Sequence, residues 1–244
     1  MRTGATPQLL TSKQLIKKVA ALLSQEYGLP KGHPEGTPME VLIETILSQN
    51  TSDTNSARAF KSLVAAFPTW EDVERAEPSA IADAIRSGGL AEIKARRIKL
   101  VLEEVKAKRG NLDMDFLDDL PLNDALDWLK DLPGVGDKTA SCVLLFSFGQ
   151  PAFPVDTHIH RVTGRLGLIE AGISANKAHS QLQDSVPSDL VYSFHVLLIE
   201  HGRRVCKAIR PKCAICVLAA VCPSRDQFIA PSSVPGMVRA QSLP

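Results

Sequence analysis

The sequence predicts an all-α protein. Three observations carry that expectation. Apolar residues recur at the three-and-four spacing of helices along nearly the whole chain. Strand-like alternation is almost absent, and the periodic segments are joined by short connections made of Gly, Pro and capping Ser, Thr or Asp. With 244 residues, 44% of them apolar, the chain can fill one large core or two small ones. No internal repeat is visible.

The first helix is expected over 11–25, where Leu15, Ile16, Val19, Leu22 and Leu23 share a face. Thr37-Pro38-Met39-Glu40 supplies a capping threonine, a proline at the first helical position and a glutamate at the third. Met39, Leu42, Ile43, Ile46 and Leu47 then keep helical spacing to about Ser48. Further helices are expected over 53–66, stopped by Pro68, and over 70–76, 79–87, 92–109, 114–119, 123–130, 137–148, 156–166, 174–184 and 188–201. Residues 1–9 and 227–244 lack periodicity and are expected to be mobile tails.

Composition excludes several classes. The longest apolar run, Cys213 to Cys222, is ten residues, well short of the ~18 a membrane span needs. The N-terminus has a transit-like basic bias (Arg2, Lys13, Lys17 and Lys18 before the first acid, Glu26) but no signal-type apolar block. An odd count of five cysteines without a secretion signal argues against a disulfide framework. The net charge of +1 means that any nucleic-acid role rests on local basic patches.

Two motifs carry chemistry. Cys206, Cys213, Cys216 and Cys222 are spaced C-x6-C-x2-C-x5-C, a quartet compact enough for one metal centre. A structural zinc and a cubane iron-sulfur cluster both take four thiolates; only Cys213 and Cys216 form the CxxC knuckle of which zinc ribbons usually have two. Arg203, Arg204, Lys207, Arg210 and Lys212 surround them, and such cations offset thiolate charge and can face phosphates. The second motif is LPGVGDKTA, Leu132 to Ala140. Gly134 and Gly136 permit a tight turn around Val135, placing backbone N–H groups at a helix N-terminus, where a phosphate binds well. With Pro133 before it and Lys138 after it, the turn resembles the helix-hairpin-helix element of DNA repair proteins. Asp156, in PVDTH, follows Lys138 by eighteen residues.

Together, LPGVGDKTA, VDTHIHR (Val155 to Arg161), EHGRRVC and the cysteine pattern resemble endonuclease III, the iron-sulfur branch of the helix-hairpin-helix (HhH-GPD) DNA glycosylase superfamily, over about 10–224. The resemblance implies a six-helix barrel domain over 31–150, with the helix-hairpin-helix at about 123–148. It also implies a [4Fe-4S] cluster domain built from 10–30 and 151–226, with a DNA-bending cleft between the two. Lys138 would be the nucleophile that forms a Schiff base, and Asp156 the carboxylate that stabilises the cationic sugar. The four cysteines would hold the cluster. Leu90 would be the wedge inserted into DNA. Gln49 and Asn50 stand in Leu47-Ser48-Gln49-Asn50 where many relatives read LSAQ, so Asn50 replaces the glutamine that fills the gap of the extruded base. The implied partner is double-stranded DNA carrying damaged bases or abasic sites, met by a monomer in the bacterial cytoplasm at the nucleoid, not at a membrane. Two other readings are a monofunctional glycosylase, whose members generally lack the lysine, and a non-catalytic DNA-binding module.

Other residues have plainer readings. His158 and His160, two apart, lie on different helix faces and share no metal; one of them is expected to hydrogen-bond near the cleft. The cations of the helix over 92–109 read first as a solvated face, with phosphate contact as the alternative. Trp70 and Trp128 read as core, and Cys142 as an inert buried side chain.

Overall fold

A computed structural model of the chain describes residues 11–30, 32 and 36–229. Among them there is no strand. Eleven α-helices run in order: α1 Ser12–Tyr27, α2 Pro38–Ser48, α3 Asp53–Ala66, α4 Trp70–Arg75, α5 Pro78–Ala84, α6 Ala91–Arg109, α7 Leu122–Lys130, α8 Asp137–Phe148, α9 Thr157–Arg165, α10 Ala175–Ser185 and α11 Val191–Arg204. No described helix is long and apolar enough to cross a membrane. Three starts are closed by capping boxes, Thr11 with Gln14, Thr37 with Glu40 and Thr69 with Asp72, each satisfying two otherwise orphaned backbone N–H groups.

The expected helices are found, with three local differences. The segment 79–87 is broken at Ile85 (φ −100°, ψ 12°) into α5 and a three-ten turn at Arg86–Gly88. The turn brings Gly88 so close to α3 that a Cβ on it would lie 3.0 Å from that of Ala59. Residues 115–119 are three-ten rather than α. There Asn111 and Asp113 accept backbone N–H bonds two residues ahead, diverting the chain from helix. The last segment starts with a three-ten turn at Ser188–Leu190 and continues as α11 to Arg204.

The apolar residues form two clusters. One gathers Leu42, Ile46 and Leu47 of α2, Leu63 of α3, Ile98, Val101 and Val105 of α6, Leu129 of α7, and Ala140, Val143 and Leu144 of α8. The other gathers Ile16, Val19 and Leu23 of α1, Leu145 of α8, Ile159 and Val162 of α9, and Phe194, Leu197 and Leu198 of α11. Helix α8 feeds both, as its nearly all-round apolar sequence requires. Trp70 and Trp128 pack against the first cluster, as expected.

The expected tail 1–9 lies outside the described residues, as does 230–244. Within the expected tail 227–244, Gln227 closes a three-ten turn at Arg225–Gln227, and Arg165 stacks over Phe228 at 4.5 Å.

Between α7 and α8 the two glycines differ. Gly134 is left-handed (φ 77°), and a Cβ there would fall 2.5 Å from Arg97 Nε. Gly136 is extended (φ −107°, ψ −178°), and a Cβ on it would meet no atom within 4 Å. The turn therefore needs special backbone freedom at Gly134 alone. Gly134→Ala should lower unfolding free energy by about 1–3 kcal/mol, from left-handed strain and a displaced arginine, whereas Gly136→Ala should cost less than about 1 kcal/mol. Urea titrations of the two variants measure the difference.

Candidate active site

A cleft of about 1070 Å³ is lined from one side by α2 and α8 and from the other by α9 and α11. From α8 it receives Lys138, Cys142 and Phe146, successive steps of four along one stripe of the helix. Lys138 is half-buried in the first turn. Asp156, also half-buried, is the N-cap of α9: its Oδ1 accepts the Ile159 N–H at 2.7 Å, and Oδ2 takes no part in that bond. The structure thus brings the lysine and the aspartate, from two different helices, to one cleft. Gln49, Asn50 and His158 line it too.

The remaining residues singled out for DNA lie elsewhere. Leu90 (51% exposed) and Gly134, Val135 and Gly136 are outside the cleft wall. Val135 is buried in the first cluster, so its side chain is a packing residue and only its backbone faces the turn. The basic helix α6 is also not simply solvated. Lys94 is 3% exposed and bonds the carbonyls of Leu47 and Gly88, and Lys99 bonds those of Glu74 and Ala76. A signal for Lys94 was present: it occupies the apolar stripe of Ile98, Val101 and Val105.

The histidines can be assigned protons from their partners. His158 Nδ1 lies 3.1 Å from Arg161 Nη2; a guanidinium only donates, so Nδ1 accepts and, in the neutral ring, Nε2 carries the hydrogen. His160 Nε2 donates to the Ile173 carbonyl at 2.9 Å. His195, which the sequence reading passed over, is buried in the cleft wall, with Nδ1 donating to the Pro154 carbonyl at 3.1 Å. Burial pushes its pKa down to about 4, against the pull of Asp156. The ring is neutral at pH 7 and leaves Nε2 a bare lone pair. Its place among Val191, Phe194 and Leu198 on α11 was the available sign of burial. Cys142 is buried as expected; burial raises its thiol pKa although Lys138 opposes the shift.

Two motif residues have packing reasons. A Cβ on Gly202 would lie 3.0 Å from that of His158, so glycine lets α11 approach α9. Arg161 then clasps the Gly202 and Cys206 carbonyls, tying α9 to the start of the cysteine segment. Across the cleft rim, Arg203 of α11 pairs with Asp53 of α3 at 2.6 Å.

All four late cysteines line a second cavity, each as a free thiol. Arg165 Nη1 donates to Cys206 Sγ at 3.3 Å, and His201 Nε2 lies 3.6 Å from Cys216 Sγ while its Nδ1 is 3.0 Å from the Tyr27 hydroxyl. Burial, and after it the neighbouring sulfurs, raise the Cys216 and Cys222 pKa values, while backbone N–H groups at Leu218 and Ser224 lower them. Four thiolates so placed need a cationic centre to ionise together. Among the described residues no group of three or more His, Cys, Asp or Glu could hold a single metal ion.

Residues 43–188 match the model of the HhH-GPD superfamily of base excision DNA repair proteins. Endonuclease III of Thermotoga maritima is 36% identical over 208 residues, 85% of this chain and 92% of that one. A solved structure of a trapped endonuclease III–DNA covalent intermediate superposes with a TM-score of 0.76 at 31% identity, covering 90% of this chain and 99% of that chain. An Arabidopsis thaliana relative is 40% identical over 169 residues, 69% of this chain, and the chain spans 58% of the plant protein. The chain belongs to the endonuclease III family of the HhH-GPD superfamily. The all-helical fold is that of endonuclease III. The superfamily match contains Lys138 and Asp156 and stops before the cysteine quartet.

The buried imidazole gives this endonuclease III homologue an acid sensitivity. Unfolded, His195 titrates at ~6.5; folded, it does so at about 4. Between these values the unfolded chain binds more protons, so stability falls as pH drops through the window. His201, also held at about 4 by burial, acts in the same direction. The urea midpoint should fall from pH 7 to 4.5, and His195→Asn should remove up to about 3 kcal/mol of that dependence. An unchanged pH slope in the variant would refute the assignment.

Proposed function

We propose that this base excision repair glycosylase of the endonuclease III family is bifunctional, excising damaged, oxidised pyrimidines from double-stranded DNA and then cleaving the strand as an abasic-site lyase. The observation that carries this reading is the opening of Lys138 and Asp156 onto one cleft from two separately packed helices.

The damaged nucleotide must leave the duplex to reach such a cleft, at an unstacking cost of a few kcal/mol. As the N-glycosidic bond breaks, the sugar gains positive character that the Asp156 carboxylate stabilises. Uncharged Lys138 Nζ forms the bond to C1′ while the base departs with its electron pair and a proton. Ring opening gives an iminium, whose C2′ hydrogen is acidic. Removing that proton expels the 3′ phosphate, and water releases the lysine. His158, with Nε2–H available in the cleft, suits a phosphate oxygen, and the Gly134–Gly136 turn presents the N-terminus of α8 to another.

The two apolar clusters support a division into a barrel over 31–150 and a second domain from 10–30 and 151–226. Cys206, Cys213, Cys216 and Cys222 would hold a [4Fe-4S] cluster: four free thiols line one cavity, Arg165 donates to the Cys206 sulfur, and the C-x6-C-x2-C-x5-C spacing has only one CxxC knuckle. When bound, the cluster organises the fold around the basic segment Lys207 to Lys212; excision and elimination consume no electrons. The substrate's charge falls on one chain acting as a monomer.

Lysine at position 138 disfavours a monofunctional glycosylase; a purely DNA-gripping module uses Asp156 only as the cap of α9, a role that Asp156→Asn would preserve. Borohydride added during turnover should trap wild-type protein on a lesion-bearing duplex. Lys138→Ala should abolish trapping, and an undiminished adduct would defeat the proposal. Asp156→Asn preserves a capping side chain, so stability should hold while excision drops on the order of 10²–10³-fold. For the second cavity, purified protein should be yellow-brown with about four irons and four sulfides per chain, and Cys216→Ser should lose colour and melt lower. A colourless, zinc-loaded sample would overturn the cluster.

A further inference from the structure

Asn50 and Leu90 are non-glycine residues in the left-handed region, at φ 54° and 53°, on two separate loops. Such a conformation is disfavoured for any residue with a Cβ and persists only where the surroundings impose it. Both loops are held by one helix. Lys94 Nζ donates to the Leu47 carbonyl at 2.7 Å, in the last turn of α2 before Asn50. It also donates to the Gly88 carbonyl at 2.8 Å, in the turn that leads to Leu90. Helix C-terminal carbonyls carry partial negative charge, which suits an ammonium and no apolar side chain. Nearly one turn further along α6, Arg97 Nη1 donates to Gln49 Oε1, and the same guanidinium lies against Gly134.

Resting on the function argued above, we propose that Lys94 and Arg97 brace the Asn50 loop, the Leu90 loop and the Gly134 turn in one fixed register, and thereby act as positioning residues for extrusion of the damaged nucleotide. Neither need touch DNA. Lys94 is buried beneath the two loops, whereas Leu90 is half-exposed and Asn50 exposed. An apolar wedge and a gap-filling amide enter the duplex together only if their spacing is set in advance, because a misplacement of about 1 Å can cost on the order of 10²-fold. The hairpin turn joined to the same brace fixes a backbone phosphate in that frame. Lys94 therefore converts two strained loops into one rigid reader, while the nucleophile is held by α8.

The test compares two substrates with the full-length protein. One is a duplex with an oxidised pyrimidine, which must be extruded. The other is a single strand with a preformed abasic site, which needs no extrusion. Lys94→Met should lower duplex excision on the order of 100-fold, chiefly in kcat, and leave single-strand elimination at the wild-type rate. Duplex excision at the wild-type rate, or an equal fall on both substrates as expected of a merely structural lysine, would overturn the proposal. If Lys94→Met does not fold, half-buried Arg97→Gln carries the same comparison, with a smaller duplex-selective fall expected. If wild-type protein acts on neither substrate, the glycosylase reading fails instead. The brace is then judged by binding alone: Lys94→Met or Arg97→Gln should lose preference for a duplex with a stable abasic analogue over intact duplex, and a retained preference would sink it.

Discussion

The arrangement depends on the double burial of α8. Ala140, Val143 and Leu144 pack into one apolar cluster and Leu145 into the other, so the helix can neither rotate nor slide without opening a core. Only the stripe of Lys138, Cys142 and Phe146 is left for the cleft. The carboxylate is fixed by an equivalent device. Asp156 caps α9, and Ile159 and Val162 anchor that helix in the second cluster against α11. The distance between Lys138 and Asp156 is thus set by how the two cores meet across α8. Neither side chain relies on a loop for its placement, which suits groups that must be held within a fraction of an ångström.

Charge is used internally more than the near-neutral composition suggests. Lys94 and Lys99 terminate helices and turns by taking their carbonyls, while Lys106 and Lys108 pair with Glu74 and Glu104. Arg161 and Arg165 are struts between α9 and the cysteine segment, meeting the carbonyls of Cys206, Lys207 and Ala208. Arginine suits this work because one guanidinium can bond several acceptors in a fixed plane. A count of basic residues therefore overstates the cations left for phosphate, even on a helix as basic as α6.

Much of this was legible in the sequence because it is local. The Thr37–Glu40 box, Pro38 and the apolar spacing that follows define α2 without reference to any other segment. The cysteine spacing and the pair Lys138 and Asp156 were equally visible, the pair through a family resemblance rather than through periodicity. What escaped depends on contacts between distant segments. The break at Ile85 answers to Ala59, the role of Lys94 to a carbonyl forty-seven residues away, and the neutrality of His195 to its burial in the cleft wall by segments distant in sequence. Lys94 and His195 each occupied an apolar stripe, so the pattern marked them as buried; it could not say what they would bond. Gly136 failed in the opposite sense, since a glycine that looks conformational is extended and merely leaves open space.

Strain and rigidity are also divided. Of the left-handed non-glycine residues, Asn50 and Leu90 belong to the loops proposed to read DNA and Arg210 to the cysteine segment, while the groups proposed for chemistry sit at regular helix starts, Lys138 in the first turn of α8 and Asp156 as the cap of α9. In the proposed reaction the sugar and its C1′ are common to every lesion, so a rigid lysine and aspartate serve all of them alike. What differs between lesions is how readily the base leaves the stack, and that step meets the strained loops. Discrimination then resides in extrusion rather than in bond cleavage. Under the proposed function, Asn50 in place of a longer gap-filling amide would change the reader and leave Lys138 untouched, so that substrate range could drift without any alteration to α8.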